Sequence, residues 1–243
     1  MQTIFILALV GLLVGFSKGG LGGPVPVSLT APLLSLVFPV SKAIGMVLPL
    51  LIFADLFALY FYWKKWDMRY VRLLLPAAVI GVICGTRLLT TLPDHTLRPI
   101  LGIFTLIAVV YRLANEFIKS LTYSPQTWHG YLAGWASGFG SSLANVGAPP
   151  FTAYMLLQPE MTPITFIGTT TLFFAIVNLL KLPGFLSSGV LDLQQLLSIL
   201  WIAPIIPFGV WAGRELVRRI DAKLFEYLML ALLFILSLSL IFT

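Results

Sequence analysis

The chain has 243 residues, of which 59% are hydrophobic and only 10% are charged, and its formal net charge is +6. Soluble domains average about 45–50% apolar and about 25% charged residues, so this composition excludes a soluble globular domain, a disordered chain and a nucleic-acid-binding protein. A helix that spans a bilayer needs roughly 20 apolar residues, a length that the chain supplies many times over. We therefore expect an all-α polytopic membrane protein of the cell membrane, which in a bacterium is the inner membrane.

Apolar segments follow one another along the chain at 2–17, 24–38, 43–63, 70–91, 97–113, 127–140, 147–158, 163–182, 193–213 and 222–242. Four of them are shorter than a full span, and they form two pairs, one at the start of each half. Each pair surrounds a glycine-containing stretch, KGGLGGPVP in the first half and GFGSSLANVGAPP in the second. Short, interrupted segments at matching places in two halves indicate the binding site of a transporter.

The two halves share a pattern of residues. At an offset of 123 positions the matches are Gly15 with Gly138, Phe16 with Phe139, Pro26 with Pro149, Gly45 with Gly168, and Asp55 with Asn178. At an offset of 128 positions they are Pro76 with Pro204, Gly81 with Gly209, Val82 with Val210, and Gly85 with Gly213. Matches in one register over both halves indicate an internal repeat. We predict a first membrane repeat with its connecting loop over 1–123 and a second repeat over 124–243.

Basic residues gather in three clusters, at 64–72, 112–119 and 214–223. Cytoplasmic loops are enriched in Lys and Arg, but a count that treats each short pair as one broken crossing puts the first and third clusters on opposite sides. A re-entrant hairpin, which enters and leaves on one face, puts all three clusters inside. Each half then holds one hairpin and three crossings, so the repeats have inverted topology and both termini lie outside. Hairpins of full depth would give the same sidedness, and both possibilities stay open.

The tips of the two hairpins form the predicted binding site. The second helix of each hairpin begins just after its tip, so two helix N-termini with unpaired N–H groups point at the centre of the membrane and favour a small anion. Glycines let the backbone approach a ligand closely, although they are also used simply for close helix packing. The tip residues assigned to substrate binding are Lys18, Gly19, Gly20, Gly22, Gly23, Ser141, Ser142, Asn145 and Gly147.

The first hairpin (GFSKGGLGGPVPVSLTAPLL), its echo (GFGSSLANVGAPPFTAYMLL) and a G-x-x-x-G in the third helix of each half resemble the TauE/SafE family of sulfite exporters. The resemblance covers essentially the whole chain, including its duplication. It implies an integral membrane transporter of sulfite, sulfonates or related small sulfur or organic anions. Family members commonly carry polar residues in the first long helix of each half, where this chain has Asp55 and Asn178. A role for an aspartate at this place is our own inference.

Three polar residues each allow two interpretations. Asp55 lies near the predicted bilayer centre, where an ionised carboxylate is costly and usually functional, so it is a candidate proton carrier for coupling; the alternative is an ion pair with Lys18 or Lys42. Lys18 supplies the positive charge that an oxyanion needs, or else it extends to the membrane interface. Thr170 lines the substrate site, or else its hydroxyl bonds back to its own helix.

The remaining charged residues are assigned to the membrane surfaces. Lys42 and Lys181 are placed at the outer ends of long helices, where they either recruit anions or extend to the interface. Arg87 and Arg214 are expected as interfacial anchors. No cofactor and no metal site is expected, since the histidines show no ligand spacing, and the single cysteine excludes a disulfide framework.

These observations predict a secondary transporter that exports a small oxyanion by alternating access at a midplane site between the tips. No P-loop is present, so ATP is not expected as the energy source, and protons are the candidate coupling ion. The expected partners are the small anion and membrane lipid, and no nucleic acid. The alternative is an anion channel with the same dipole-lined site. An enzyme is not expected, because Ser141 and Ser142 have no predicted His or Lys partner nearby except Lys18.

Overall fold

The computed structural model of the chain describes residues 2–21, 23–118, 126–158, 160–216, 219 and 221–242. Over these residues the chain forms α-helices and no β-strand. In chain order the helices are α1 (Gln2–Gly19), α2 (Val25–Ser35), α3 (Val40–Phe61), α4 (Met68–Thr91), α5 (Asp94–Ile118), α6 (Thr127–Ala144), α7 (Ala148–Leu156), α8 (Pro163–Ser187), α9 (Leu193–Ile199), α10 (Ile205–Leu216) and α11 (Ala222–Phe242).

Six of the helices in the described ranges are long and apolar enough to cross a membrane, namely α1, α3, α4, α5, α8 and α11. The predicted all-α polytopic membrane protein is therefore confirmed. The segment 193–213, predicted as one helix, is instead two, because α9 and α10 are separated by a short break and bent by 44°. Pro204 lies in this break and has no N–H to continue the helix. Proline alone does not set the break, since its counterpart Pro76 lies inside the continuous helix α4.

Each hairpin combines one long helix with one short helix. The long helices α1 and α6 have 18 residues each, which corresponds to about 27 Å. The short helices α2 and α7 have 11 and 9 residues. In both short helices a proline lies near the first turn, Pro26 in α2 and Pro149 in α7, where its missing N–H breaks no hydrogen bond of the helix. The choice between re-entrant and fully spanning hairpins stays a prediction.

The first helix of each hairpin packs against the other half of the chain: α1 lies along α10, and α6 lies along α4. Glycines permit this close approach. A Cβ atom added to Gly15 would lie 2.7 Å from the carbonyl oxygen of Ile206, and one added to Gly138 would overlap the carbonyl oxygen of Ala78. Backbone therefore meets backbone in both interfaces, as is usual where small residues bring membrane helices together.

The contacts of these two interfaces correspond residue by residue. In the α1–α10 interface Gly209 contacts Leu12 and Gly213 contacts Phe16, and in the α4–α6 interface Gly81 contacts Trp135 and Gly85 contacts Phe139. The paired glycines differ by 128 positions and the residues that they contact differ by 123, which are the two offsets found in the sequence. This correspondence supports the internal repeat. The boundary between the repeats and their inverted topology stay predictions.

The remaining long helices also meet their counterparts. Helix α3 packs against α8, and α5 packs against α11. More than half of the α3 segment is buried, the largest share among the candidate spans. As a result the polar residues Asp55 on α3 and Asn178 on α8 lie inside the protein and not against lipid, with exposed fractions of 2% and 3%.

Candidate functional site

Both hairpin tips line one cavity of about 400 Å³, which is completed by residues of α3, α5, α8 and α11. The structure thus brings together two stretches that lie more than a hundred residues apart in the sequence. The predicted site residues that line this cavity are Lys18, Gly20, Gly23, Ser141, Asn145, Gly147, Thr170 and Asn178. Gly22 lies outside the described residues.

The first tip ends α1 with a Schellman turn. The N–H of Leu21 donates to the carbonyl of Phe16 at 3.0 Å, and the N–H of Gly20 donates to the carbonyl of Ser17 at 3.2 Å. Gly20 has a φ of 95° and Gly23 has a φ of 58°, values in the left-handed region that glycine adopts without strain. The hydroxyl of Ser17 also donates to the carbonyl of Gly23 at 2.6 Å, which closes the loop. The glycines of this tip therefore fix the direction of the chain at the cavity wall.

The second tip uses an asparagine in place of a glycine. Asn145 ends α6 with a φ of 55°, and asparagine is one of the few residues that tolerate this conformation. Gly147 comes later in the same tip and packs closely against the backbone of α6, because an added Cβ atom would lie 2.5 Å from the carbonyl oxygen of Ser137. The side-chain amide nitrogen Nδ2 of Asn145 is buried and has no hydrogen-bond partner, although the residue lines the cavity. A buried amide donor usually has an acceptor, so this nitrogen is available to a ligand.

The N-termini of α2 and α7 both lie at the cavity wall, which includes Pro24, Val25, Ala148 and Pro149. Neither N-terminus has a side-chain cap. The first N–H groups of a helix lack partners within the helix and carry partial positive charge. Prolines such as Pro26 and Pro149 have no N–H, so fewer of these donors remain here, while the partial charge of each helix end is kept. Two uncapped N-termini at one cavity make a suitable environment for an anion.

Lys18, Asp55 and Asn178 form a connected polar group between the two halves. The ammonium of Lys18 forms an ion pair with the Oδ1 atom of Asp55. The amide of Asn178 donates to the other carboxylate oxygen, Oδ2, at 2.7 Å. Of the two partners considered for Asp55, the structure places Lys18 at the carboxylate, while Lys42 is exposed. Lys18 also lines the cavity, so one residue contacts both the buried carboxylate and the space between the tips.

Lys181 is fully buried, with an exposed fraction of 0%. Its ammonium donates to the carbonyl oxygen of Ser141, to the hydroxyl of Ser141 and to the Oδ1 atom of Asn145, each at 3.2 Å. The predicted position of Lys181 at an outer helix end is therefore wrong. The apolar segment ends at 182, but α8 continues to Ser187, which puts Lys181 more than a turn inside the helix. Because Lys181 lies three positions after Asn178, the two residues share one face of α8. This spacing is the signal in the sequence that could have identified Lys181 as a residue of the site.

Three predicted site residues do not line the cavity. Gly19 packs against α10, where an added Cβ atom would lie 2.5 Å from the carbonyl oxygen of Val210. Ser142 is fully buried and packs close to Gly85 of α4. Both residues serve close helix packing, which was the alternative considered for the tip glycines. Asp55 lies one contact behind the cavity, through Lys18 and Asn178.

The threonines at the start of α8 have separate roles. The hydroxyl of Thr169 accepts a hydrogen bond from the N–H of Asp67 at 2.9 Å, which ties α8 to the start of α4. The hydroxyl of Thr170 donates to the carbonyl of Phe166 at 2.7 Å, although Thr170 also lines the cavity. Both interpretations of Thr170 thus apply to the same residue. Thr171 is a further lining residue that the sequence did not single out.

Arg112 was not predicted as a site residue, yet it lines the cavity. Its guanidinium forms an ion pair with Glu226, and its Nη2 atom donates to Oε2 at 2.8 Å. This pair joins α5 to α11. The residues expected as anchors, Arg87 and Arg214, are exposed, and the guanidinium of Arg214 lies 4.8 Å from the centre of the Phe61 ring.

Comparison with known proteins agrees with this architecture. The family model described as "Sulfite exporter TauE/SafE" matches residues 7–240. No curated protein and no solved structure matches the chain. The match includes both hairpins, the glycine-mediated interfaces and every residue of the cavity wall, and it leaves out only a few residues at each end. The chain therefore belongs to the TauE/SafE sulfite exporter family of membrane transporters.

Proposed function

We propose that this protein is a secondary transporter that exports a small oxyanion, such as sulfite or a short sulfonate, through a site between the two hairpin tips. The observation that carries the proposal is the single cavity that both tips line, with two uncapped helix N-termini at its wall. Membership of the sulfite exporter family supports the same class of substrate. The cavity volume of about 400 Å³ is ample for a small oxyanion.

The proposed binding chemistry combines one charge with several neutral donors. Lys18 supplies the ammonium, the hydroxyl of Ser141 and the free amide of Asn145 supply neutral donors, and the backbone at Gly20 and Gly147 lets the ligand approach the chain closely. Oxyanions accept several hydrogen bonds at once, so a set of separate donors suits them. The proposed substrate-binding residues are those that line the cavity, together with Gly22, which lies outside the described residues.

Alternating access is proposed to depend on the packing in which the first hairpin helix of each half lies against the other half. Each half buries the first helix of its hairpin against the other half, so the position of each tip depends on how the two halves pack together. In transporters with internal repeats, rocking of one repeat against the other opens a fixed midplane site to each side in turn. In the glycine contacts of α1 with α10 and of α4 with α6, backbone lies directly against backbone.

Proton coupling is proposed to pass through Asp55. The ammonium of Lys18 contacts this carboxylate and also faces the cavity, so an anion that binds Lys18 competes with Asp55 for the same charge. A carboxylate that loses its cation inside the protein leaves an unpaired buried charge, which uptake of a proton removes. Anion binding at the tips and protonation of Asp55 would then be linked.

Catalysis by Ser141 is not part of the proposal. Lys181 contacts the hydroxyl of Ser141, a pairing that in some hydrolases activates serine. Here the same nitrogen also contacts the carbonyl oxygen of Ser141 and the Oδ1 atom of Asn145, so the lysine holds the second tip together. Membership of a transporter family supports binding by this group of residues rather than catalysis.

The test is anion flux into proteoliposomes with the purified protein, using sulfite, a short sulfonate, sulfate and acetate, each with and without a pH gradient. The double variant Lys18→Ala/Asn145→Ala is expected to abolish flux, and Lys42→Ala, which removes an exposed lysine, is the matched control. Saturable flux with counterflow supports a carrier, whereas conductance above about 10⁶ ions per second supports the channel alternative, because alternating access requires microsecond-to-millisecond steps. Flux that persists in the double variant would show that the binding site does not lie at the tips.

A further inference from the structure

Ionisable side chains of both signs surround the cavity. Among the described residues, those that line the cavity or contact its lining include the cations Lys18, Arg112 and Lys181 and the carboxylates Asp55 and Glu226. Lys18 is paired with Asp55, and Arg112 is paired with Glu226. Of these three cations, Lys181 is the one for which the described residues provide no ion pair.

Lys181 is unusual because a lysine is almost never fully buried without a paired charge. Its three hydrogen bonds go to neutral acceptors on the second tip, and no carboxylate of the described residues forms an ion pair with it. A buried charge that is hydrogen bonded but not neutralised is costly and needs a functional explanation. An anion in the adjoining cavity would supply the missing counter-charge.

Lys181 also orients the tip. Because its ammonium holds the Oδ1 atom of Asn145, the amide nitrogen Nδ2 is directed away from the lysine and has no partner in the protein. The residue that carries this free donor lines the cavity. One buried lysine thus places a cation beside the cavity and orients a neutral donor.

We infer that Lys181 is a specificity-determining residue, and that, while Asp55 is ionised, the charge of Lys181 makes the cavity selective for singly charged oxyanions over doubly charged ones. This inference rests on the proposed function and deepens it, because it names the substrate class by charge. A monoanion, such as a sulfonate or hydrogensulfite, neutralises the site. A dianion of the same shape leaves an excess negative charge in a space of low dielectric, which opposes its binding.

Methanesulfonate and sulfate make a suitable pair of probes. Both are tetrahedral and of similar size, and their charges of one and two do not change near neutral pH. Equilibrium binding is measured by the shift in thermal unfolding temperature of detergent-purified protein across a titration of each anion, which does not depend on transport. The wild-type protein is expected to bind methanesulfonate at least tenfold more tightly than sulfate.

Variants then change the site charge one step at a time. Lys181→Met removes the unmatched cation and is expected to weaken methanesulfonate binding about tenfold or more. Asp55→Asn removes a carboxylate without changing its shape or touching the second tip, and it is expected to shift the preference about tenfold towards sulfate. Lys181→Arg keeps the charge and is expected to keep the monoanion preference. The unfolding temperature without ligand shows whether each variant is folded.

The outcomes separate this inference from the proposed function. Sulfite flux by the wild-type protein with equal binding of the two probes would overturn the charge-selectivity inference and leave the transporter standing. The charge-selectivity inference is likewise overturned if folded Lys181→Met binds methanesulfonate with the affinity of the wild type. It is also overturned if Asp55→Asn leaves the preference for methanesulfonate over sulfate unchanged. If the wild-type protein neither transports nor binds any of these anions, both proposals are overturned.

Discussion

Asp55 and Asn178 are hydrogen bonded to each other at 2.7 Å, and they are the two residues that occupy equivalent positions in the two halves, 123 residues apart. Asp55 lies on α3 and Asn178 lies on α8, so this hydrogen bond joins the first half of the chain to the second. Substrate and coupling sites of repeat transporters lie at such repeat interfaces, and here Lys18 extends the pair to the cavity.

The ion pair of Lys18 and Asp55 predicts a strong dependence of each residue on the other. Lys18→Met alone leaves an unpaired buried carboxylate, which costs about 3–5 kcal/mol, while the double variant Lys18→Met/Asp55→Asn recovers most of this loss because no charge is left unpaired. The measurement is the free energy of unfolding in detergent for the two single variants and the double variant. The exposed pair of Arg69 and Glu160 is the control, and Glu160→Gln is expected to change the free energy of unfolding little. Additive single effects would show that the buried pair is not coupled.

The matched glycine interfaces predict matched effects. Gly15→Ala and Gly138→Ala each place a Cβ atom against backbone of the other half, so each is expected to destabilise the protein by about 1–3 kcal/mol. Thermal unfolding in detergent measures both variants, with Ile80→Val on the exposed side of α4 as a control that changes little. A neutral result for either glycine would contradict the close contact of the corresponding helix pair.

Asn145 carries both a backbone requirement and a side-chain function, and three substitutions separate them. Asn145→Gly keeps the positive φ and is expected to fold normally but to bind substrate poorly, because the amide donor is lost. Asn145→Ala loses the donor and adds backbone strain of about 1 kcal/mol or more. Asn145→Asp brings a carboxylate to Lys181 and is expected to retain stability while anion flux falls to background. Normal flux in folded Asn145→Gly would remove this side chain from the site.

Neighbouring threonines of α8 are expected to differ in what they stabilise. Thr169→Val removes the acceptor for the partly buried N–H of Asp67, at a cost of about 0.5–1.5 kcal/mol in unfolding free energy. Thr170→Val removes a hydroxyl that bonds within its own helix, so a smaller loss of stability is expected, together with a change in the Michaelis constant for the transported anion. A larger loss of stability for Thr170→Val than for Thr169→Val would reverse the assignment.

The sequence alone determined the class of protein and the location of its tips. A composition this apolar leaves no soluble alternative, and the register of glycines and prolines in the two halves predicted both the repeat and the two irregular stretches that line the cavity. These features are local, because glycine and proline act through the backbone of their own segment. The prolines that follow each tip in the sequence lie near the first turns of α2 and α7.

Only the tertiary structure decided which polar groups meet. Lys181 was placed at a membrane surface because the apolar segment ends beside it, yet α8 continues past it and turns the lysine towards the second tip. Gly19 and Ser142 belong to the tips by sequence but face neighbouring helices. Helical periodicity fixes which residues share a face, whereas the helix that this face meets depends on packing across both halves, and that packing also gives a buried lysine its acceptors.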